Sequence, residues 1–162
     1  MKKTQIKINK ELEEAVLLGN LSLTKSLIKD GCDVNGKDKY GRTAIYDAIT
    51  KGFQDIVLEL CLAQTNVNNQ DKAGKTPLHF SSIHSQLDIA KILINYGADV
   101  NLKDNNGNTP IFDAVFNTKG VDEMILLLKE NGADPSMENN YGISPKEIVE
   151  TSDNFKFPLI FK

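Results

Sequence analysis

An all-α solenoid of stacked helix–turn–helix units is the fold class that the sequence predicts, and three observations predict it. Glycines that follow a polar turn recur at Gly41, Gly74, Gly107 and Gly142, in steps of 33, 33 and 35 residues. A second series keeps the same step, with Val34-Asn35, Val67-Asn68 and Val100-Asn101 followed two residues late by Pro135-Ser136. Between the turns, apolar residues fall at three- and four-residue intervals, as in Ile56, Val57, Leu60 and again in Ile89, Ile92, Leu93, which is the spacing of one helical face. A single helix pair cannot bury such a stripe, whereas stacked pairs share one continuous core. An ordinary helical bundle gives no reason for a glycine turn at a fixed period.

The N-terminal capping unit, 10–37, lacks the opening turn, yet its Leu12, Ala15 and Gly19 stand one period before Ile45, Ala48 and Gly52. A terminal unit is expected to be atypical because one of its faces meets water. Full repeats are expected at 38–70, 71–103 and 104–138, with a C-terminal cap over 139–162, the chain 1–162 forming one domain. In 38–70 the local signals are weak: Gln64 stands where a helix-closing glycine is expected, and Ala44 and Tyr46 replace proline and histidine. In 71–103 each signal has a mechanical reason. Gly74 supplies a positive φ, Thr76 caps the first helix, and Pro77 takes the first helical position, where its missing N–H costs nothing. Gly97 closes the second helix at the left-handed C′ position. In 104–138, Phe112 holds the histidine position, and Asn117-Thr118-Lys119-Gly120 carries two extra residues between the helices, where a longer loop disturbs the stack least. The segment from Asp153 to Lys162 is rich in apolar residues but carries Pro158. It is expected to fold back as the missing cap of the last repeat, with contact to a partner as the alternative.

The clearest unit reads Asp71-Lys72-Ala73-Gly74-Lys75-Thr76-Pro77-Leu78-His79, continues through Ile89-Ala90-Lys91-Ile92-Leu93-Ile94 and ends Gly97-Ala98-Asp99-Val100-Asn101. It resembles the ankyrin repeat, with that family's T-P-L-H start and G-A-D-V-N close. The resemblance covers about residues 10–150. It implies short inner helices, longer outer ones, and projecting turns that together with the concave face of the inner helices bind a protein partner. By motif alignment the turn positions implied are Lys39, Tyr40 and Arg42, then Lys72, Ala73 and Lys75. Asn105, Asn106 and Asn108 follow, and last Asn140, Tyr141 and Ile143. On the inner helices the resemblance implies Thr50 and Lys51, Ile83 and His84, Phe116 and Asn117. Ile83 and Phe116 are apolar where polar residues would serve, and Tyr40 and Tyr141 sit at opposite turns, so an aromatic and aliphatic strip is expected there, with the composition of an interface hot spot. Against this, scattered exposed apolar residues are normal, and the insertion beside Phe116 offers it packing.

Composition narrows the partners. In 162 residues with 40% hydrophobic content there is material for a substantial core. A formal charge of -3, with both signs interspersed and Arg42 the one arginine among 19 basic residues, argues against nucleic acid as the main partner. No apolar run approaches the roughly 20 residues of a membrane span, and the polar Thr4 to Lys10 after Met1-Lys2-Lys3 argues against a secretion signal. Cys32 and Cys61 lack metal-ligand spacing and are expected to be reduced structural thiols in a cytoplasmic protein.

Catalytic chemistry finds no foothold. The resemblance implies that His79 bonds local backbone and the threonine of its own motif, and His84, five residues on, is poorly spaced to complete a zinc site with it. Walker-type, G-x-S-x-G and H-E-x-x-H motifs are absent from the sequence. Asp47 and Asp113 occupy equivalent inner-helix positions two repeats apart, roughly 16–20 Å at the usual helix spacing, too far to share a bond, and each is expected to be solvated or locally bonded. The expectation is a protein that is no enzyme, holds no cofactor or metal, and is monomeric when free. The segment Asn139 to Pro145 is similar to those of bacterial ankyrin proteins that act as immunity partners of toxins, which points to a dedicated inhibitor. The abundance of lysine and asparagine over arginine is compatible with an AT-rich genome. The alternative is an adaptor or host-directed effector that recruits a target.

Overall fold

The computed structural model describes residues 2–117 and 123–151, with side chains from Lys10 onward. Among the described residues nine helices and no strands follow one another. They are α1 (Lys2–Leu17), α2 (Leu21–Lys29), α3 (Ala44–Lys51), α4 (Gln54–Leu62), α5 (Pro77–Ile83), α6 (Leu87–Asn95), α7 (Pro110–Asn117), α8 (Glu123–Glu130) and α9 (Pro145–Thr151). Helices α1, α3, α5, α7 and α9 pack successively in an inner layer; α2, α4, α6 and α8 form an outer layer, each against its own inner partner. This is the all-α repeat solenoid that the glycine period predicts. Outer helices are not uniformly the longer: α4 has 9 residues to 8 in α3 and α6 has 9 to 7 in α5, but α7 and α8 have 8 each and in the first pair the inner α1 has 16 to 9 in α2.

One apolar cluster runs the length of the stack. Inner helices contribute Leu12, Ala15 and Val16, then Ile45, Ala48 and Ile49, then Leu78 and Ile111; outer helices contribute Ile56, Val57 and Leu60, then Ile89, Ala90 and Leu93, then Met124, Ile125 and Leu128. These are the residues picked out by helical spacing, and their burial between neighbouring units is what holds short helices that would be marginal alone.

Local chemistry sets the helix ends. Before α5, Thr76 and His79 form a capping box: the Thr76 hydroxyl accepts from the His79 backbone N–H, and the His79 ring accepts from the Thr76 N–H. After α6, Gly97 takes φ +89 and its N–H and that of Ala98 bond back to the last turn. Gln64 adopts φ 60 at the matching position after α4, so the expected stop is made without the glycine that makes it cheap. Helix α1 begins at Lys2, ahead of Lys10, where the repeat pattern becomes readable.

Both cysteines are free; Cys61 is buried, and burial pushes its thiol up to about 11. Desolvation, with the nearby Asp33, also raises Cys32, so neither is primed as a nucleophile. No helix among the described residues is long and apolar enough to cross a membrane. The expectations for the loop insertion at Thr118 to Gly120 and for the segment 153–162 fall outside the described residues.

Candidate functional site

The projecting turns are built on a side chain that the glycine series leaves unread. Asp71 N–H donates to the Lys75 carbonyl at 3.0 Å, while its Oδ1 accepts from the N–H groups of Ala73 and Lys75, both at 2.9 Å. Asp38, Asp104 and Asn139 repeat this arrangement in the other turns. Each turn also bonds the next: Lys72 N–H donates to Tyr40 O at 2.8 Å, Asn105 N–H to Ala73 O at 3.0 Å, and Asn140 N–H to Asn106 O at 2.9 Å. This close approach excludes a side chain at the tip, since a Cβ on Gly74 would lie 2.6 Å from the Asn105 nitrogen. The turns are therefore a row of pre-ordered fingers, which reduces the entropy lost when something binds them.

At the base of the fingers, the position read as the family's histidine is used across repeats as well as locally. His79 Nδ1 takes the Thr76 N–H at 3.0 Å, and its Nε2 lies 3.1 Å from the carbonyl of Asn108 in the next unit. A carbonyl can only accept, so the proton sits on Nε2. Burial lowers the imidazole to about 4 despite the Asn108 bond, leaving a neutral structural histidine rather than a base. Tyr46 does the same one repeat earlier, its hydroxyl lying 2.9 Å from Lys75 O. Phe112 has no group for either bond. The hydroxyls of Thr43 and Thr109, whose repeats lack the histidine, are buried without a hydrogen-bond partner among the described residues.

Asp113 corrects the expectation of a solvated or locally bonded carboxylate. It is buried, and its Oδ2 lies 2.7 Å from Nζ of Lys75 in the preceding repeat; the same ammonium is 3.1 Å from Asp104. Desolvation raises Asp113, and Lys75 opposes the rise. Desolvation would depress Lys75, but the two carboxylates outweigh it and hold the amine above its usual range. Lys75 is thus committed inside the stack rather than offered as a free cation.

A third row of bonds lies by the outer helices. Asn68 Oδ1 accepts from Asp99 N–H at 2.8 Å and its Nδ2 donates to Gly97 O at 2.9 Å; Asn35 and Asn101 span the neighbouring junctions in the same way. The Val-Asn series visible in the sequence is this staple.

Of the other positions implied by the resemblance, Lys39, Lys72, Ala73, Asn105, Asn106, Asn140, Tyr141 and Ile143 are exposed at the turns. Asn108 is half-buried, its Oδ1 accepting from Asn139. Tyr40 is half-exposed, with Lys39 Nζ and Arg42 Cζ each 4.9 Å from its ring centroid. Arg42 also clamps Asp38 Oδ2 with Nε at 3.1 Å and Nη2 at 2.9 Å. Burial raises Asp38, but the hydrogen bonds from Arg42 win and hold it below the ordinary carboxylate range. On the inner helices Thr50, Lys51, His84 and Asn117 are exposed. Phe116 is 73% exposed, stacked on Phe112 at 6.3 Å between centroids, whereas Ile83, expected at an equally exposed position, is half-buried. Sequence reasoning passed over Leu17 and Leu18, 45% and 75% exposed. The Leu12-to-Ile45 register places them one period before Thr50 and Lys51, a signal that was there to be read. Among the described residues no group of three or more histidine, cysteine, aspartate and glutamate side chains could hold a metal ion.

Comparison with known proteins gives the same architecture. The family model described as ankyrin repeats (3 copies) matches residues 12–71 and 58–139. Two similar curated proteins, both described as protein phosphatase 1 regulatory subunit 27, come from Homo sapiens and Mus musculus; each is 44% identical over 45 residues, 28% of this chain and 29% of the relative. The match thus spans less than a third of the length of those relatives.

Proposed function

The chain belongs to the ankyrin-repeat family, and on that premise we propose that it is a non-catalytic module that binds one protein partner on its inner-helix face and finger tips, as a dedicated inhibitor of that partner. Ankyrin repeats are protein-interaction modules, and the observation that carries the finer reading is the exposure of large aromatic side chains on the inner-helix face and the turns. Phe116 at 73%, Tyr141 at 74% and Tyr40 at 50% exposure stand on elements fixed by inter-repeat hydrogen bonds. Rigid aromatics on a rigid frame lose little entropy on binding and dominate interface energies. An immunity-type role, with a toxin as the partner, belongs to this reading.

A second reading, recruitment rather than blockade, draws on the relatives' name as phosphatase regulatory subunits. The two differ in one measurement: a stoichiometric inhibitor silences the partner's own activity, while an adaptor leaves turnover intact and changes what the partner acts on.

The face itself is tested by titration calorimetry with the co-purified partner. Phe116→Ala and Tyr40→Ala are expected to weaken binding by about 2 kcal/mol or more with melting unchanged. Changing Lys129 or Glu130 at the end of α8 is expected to matter little. Loss of binding on changing Glu130 with Phe116→Ala silent would overturn the assignment.

A further inference from the structure

A recess of about 310 Å³ opens between α1 and α3 at the root of the first finger, with Glu13, Leu17, Asp38, Arg42, Thr43 and Asp47 in its lining. We propose that it receives the arginine or lysine side chain of a partner protein segment docked along the inner helices. This rests on the binding face proposed above and names the chemistry of what docks there.

The stack contains its own template for such a site. Asp38 and Asp47 stand 66 residues before Asp104 and Asp113, the pair that grips the Lys75 ammonium at 3.1 and 2.7 Å. That cation is supplied by the finger of the preceding repeat. The unit before Asp38 has no opening turn, and the residue at the corresponding place is Asn9, not a cation. Among the described residues the acidic pair is therefore repeated without a lysine bonded to it as Lys75 is to Asp104 and Asp113.

Arg42 does not fill the gap. Its Nε and Nη2 both point to Asp38 Oδ2, while Asp38 Oδ1 is occupied by the turn N–H groups of Tyr40 and Arg42. Asp47 and Glu13 remain around one guanidinium already engaged. Burial raises Glu13 above the ordinary range, with Asp38 and Asp47 adding to it and Lys10 opposing; burial raises Asp47 too, with Asp38 adding and Arg42 and Lys51 opposing. Partly desolvated carboxylates that repel one another are relieved by a cation placed between them. Thr43, 3% exposed, lines the same recess with its hydroxyl unpartnered. Its counterpart Thr76 is satisfied by His79, whereas Tyr46 turns its own hydroxyl to the next repeat. Leu17, 45% exposed at the edge, offers an apolar surface for the methylene stem of a long basic side chain.

The test uses two synthetic octapeptides that differ at one central residue, arginine in one and its neutral isostere citrulline in the other, flanked by leucines. Both are titrated into the isotopically labelled full chain. The arginine peptide is expected to shift the amides of Thr43, Ala44 and Asp47 and to bind at least tenfold more tightly than the citrulline peptide. Asp47→Asn, and more fully Glu13→Gln with Asp47→Asn, is expected to abolish that preference, with melting curves confirming the fold. Equal binding of the two peptides, absence of shifts at these amides, or a preference that survives the double variant overturns the proposal. The same shifts produced by calcium chloride alone overturn it too, in favour of an inorganic cation. Arginine preference in a protein whose natural partner ignores Phe116→Ala supports the recess while sinking the aromatic strip, so the two readings fail separately.

Discussion

His79 Nε2 and the carbonyl oxygen of Asn108 lie 3.1 Å apart across the junction of two repeats, and with the proton on Nε2 the other ring nitrogen, Nδ1, accepts the Thr76 N–H, a bond that only the neutral imidazole can make. Burial holds the ring at about 4 in the folded chain, against 6.5 for an ordinary histidine. In the window between those values the unfolded chain takes up the proton and the folded one does not. Stability from this group is therefore complete above about pH 6.5 and is lost as pH falls toward 4, by roughly 3 kcal/mol over the full span. Urea unfolding at pH 7.5 and 5, compared between the wild type and a His79→Phe variant patterned on Phe112, isolates it from the carboxylates. The stability difference between the two proteins is expected to shrink at pH 5; a difference independent of pH would contradict the assignment.

Lys75 neutralises two carboxylates whose side chains are 1% and 10% exposed. Lys75→Met leaves both buried and unmatched and is expected to cost about 3–5 kcal/mol. Adding Asp113→Leu should recover much of that loss, because it removes one of the stranded charges. Thermal melts of the single and double variants decide it; an additive loss in the double variant would mean that the three groups are not coupled.

Gln64 holds φ 60 where Gly97 and Gly132 hold 89 and 90 after the later outer helices. A left-handed residue with a Cβ is strained by about 1–2 kcal/mol, and glycine returns part of that as chain entropy in the unfolded state. Gln64→Gly is thus expected to raise stability by about 0.5–1 kcal/mol in chemical denaturation, and a lower midpoint would show that the glutamine side chain contributes contacts outweighing the strain.

Leu93 is fully buried in α6, while Leu126 in α8 is 38% exposed. Leu93→Ala should cost about 2–5 kcal/mol, and Leu126→Ala, at a site already open to water, no more than roughly 1 kcal/mol. Equal losses would place the outer-helix face differently from the structure.

Features fixed by neighbours in the chain were legible. The Gly74 turn, the Thr76 cap with Pro77, and the Gly97 stop each act within a few residues, and the apolar stripe of Ile89 and Leu93 follows from helical period alone. Asp38, Asp71, Asp104 and Asn139 were equally readable in principle, since they share the glycine period. What stayed hidden depends on distance along the chain. The partner of Asp113 lies 38 residues away, and nothing local distinguishes an aspartate that faces a lysine of the previous repeat from one that faces water. Ile83 and Phe116 share a register but not an exposure, because burial at that position depends on the neighbouring repeats.

The bonds between consecutive units are nearly the same bond repeated, which bears on how a gene of this kind can change length. A second copy of 71–103 inserted after residue 103 would present Lys72 N–H to Ala73 O as Asn105 does, and Asp99 N–H to Asn101 Oδ1 as Asp134 does. The first His79 would meet the Lys75 carbonyl of the copy in place of that of Asn108. Two interactions would lack their counterparts, since Phe80 stands where Asp113 answers Lys75 and Lys72 stands where the Asn105 side-chain amide donates to the preceding Lys72 carbonyl. Tandem duplication of whole modules is therefore a change that the chain can absorb in register, whereas an insertion of any other length must be confined to a loop.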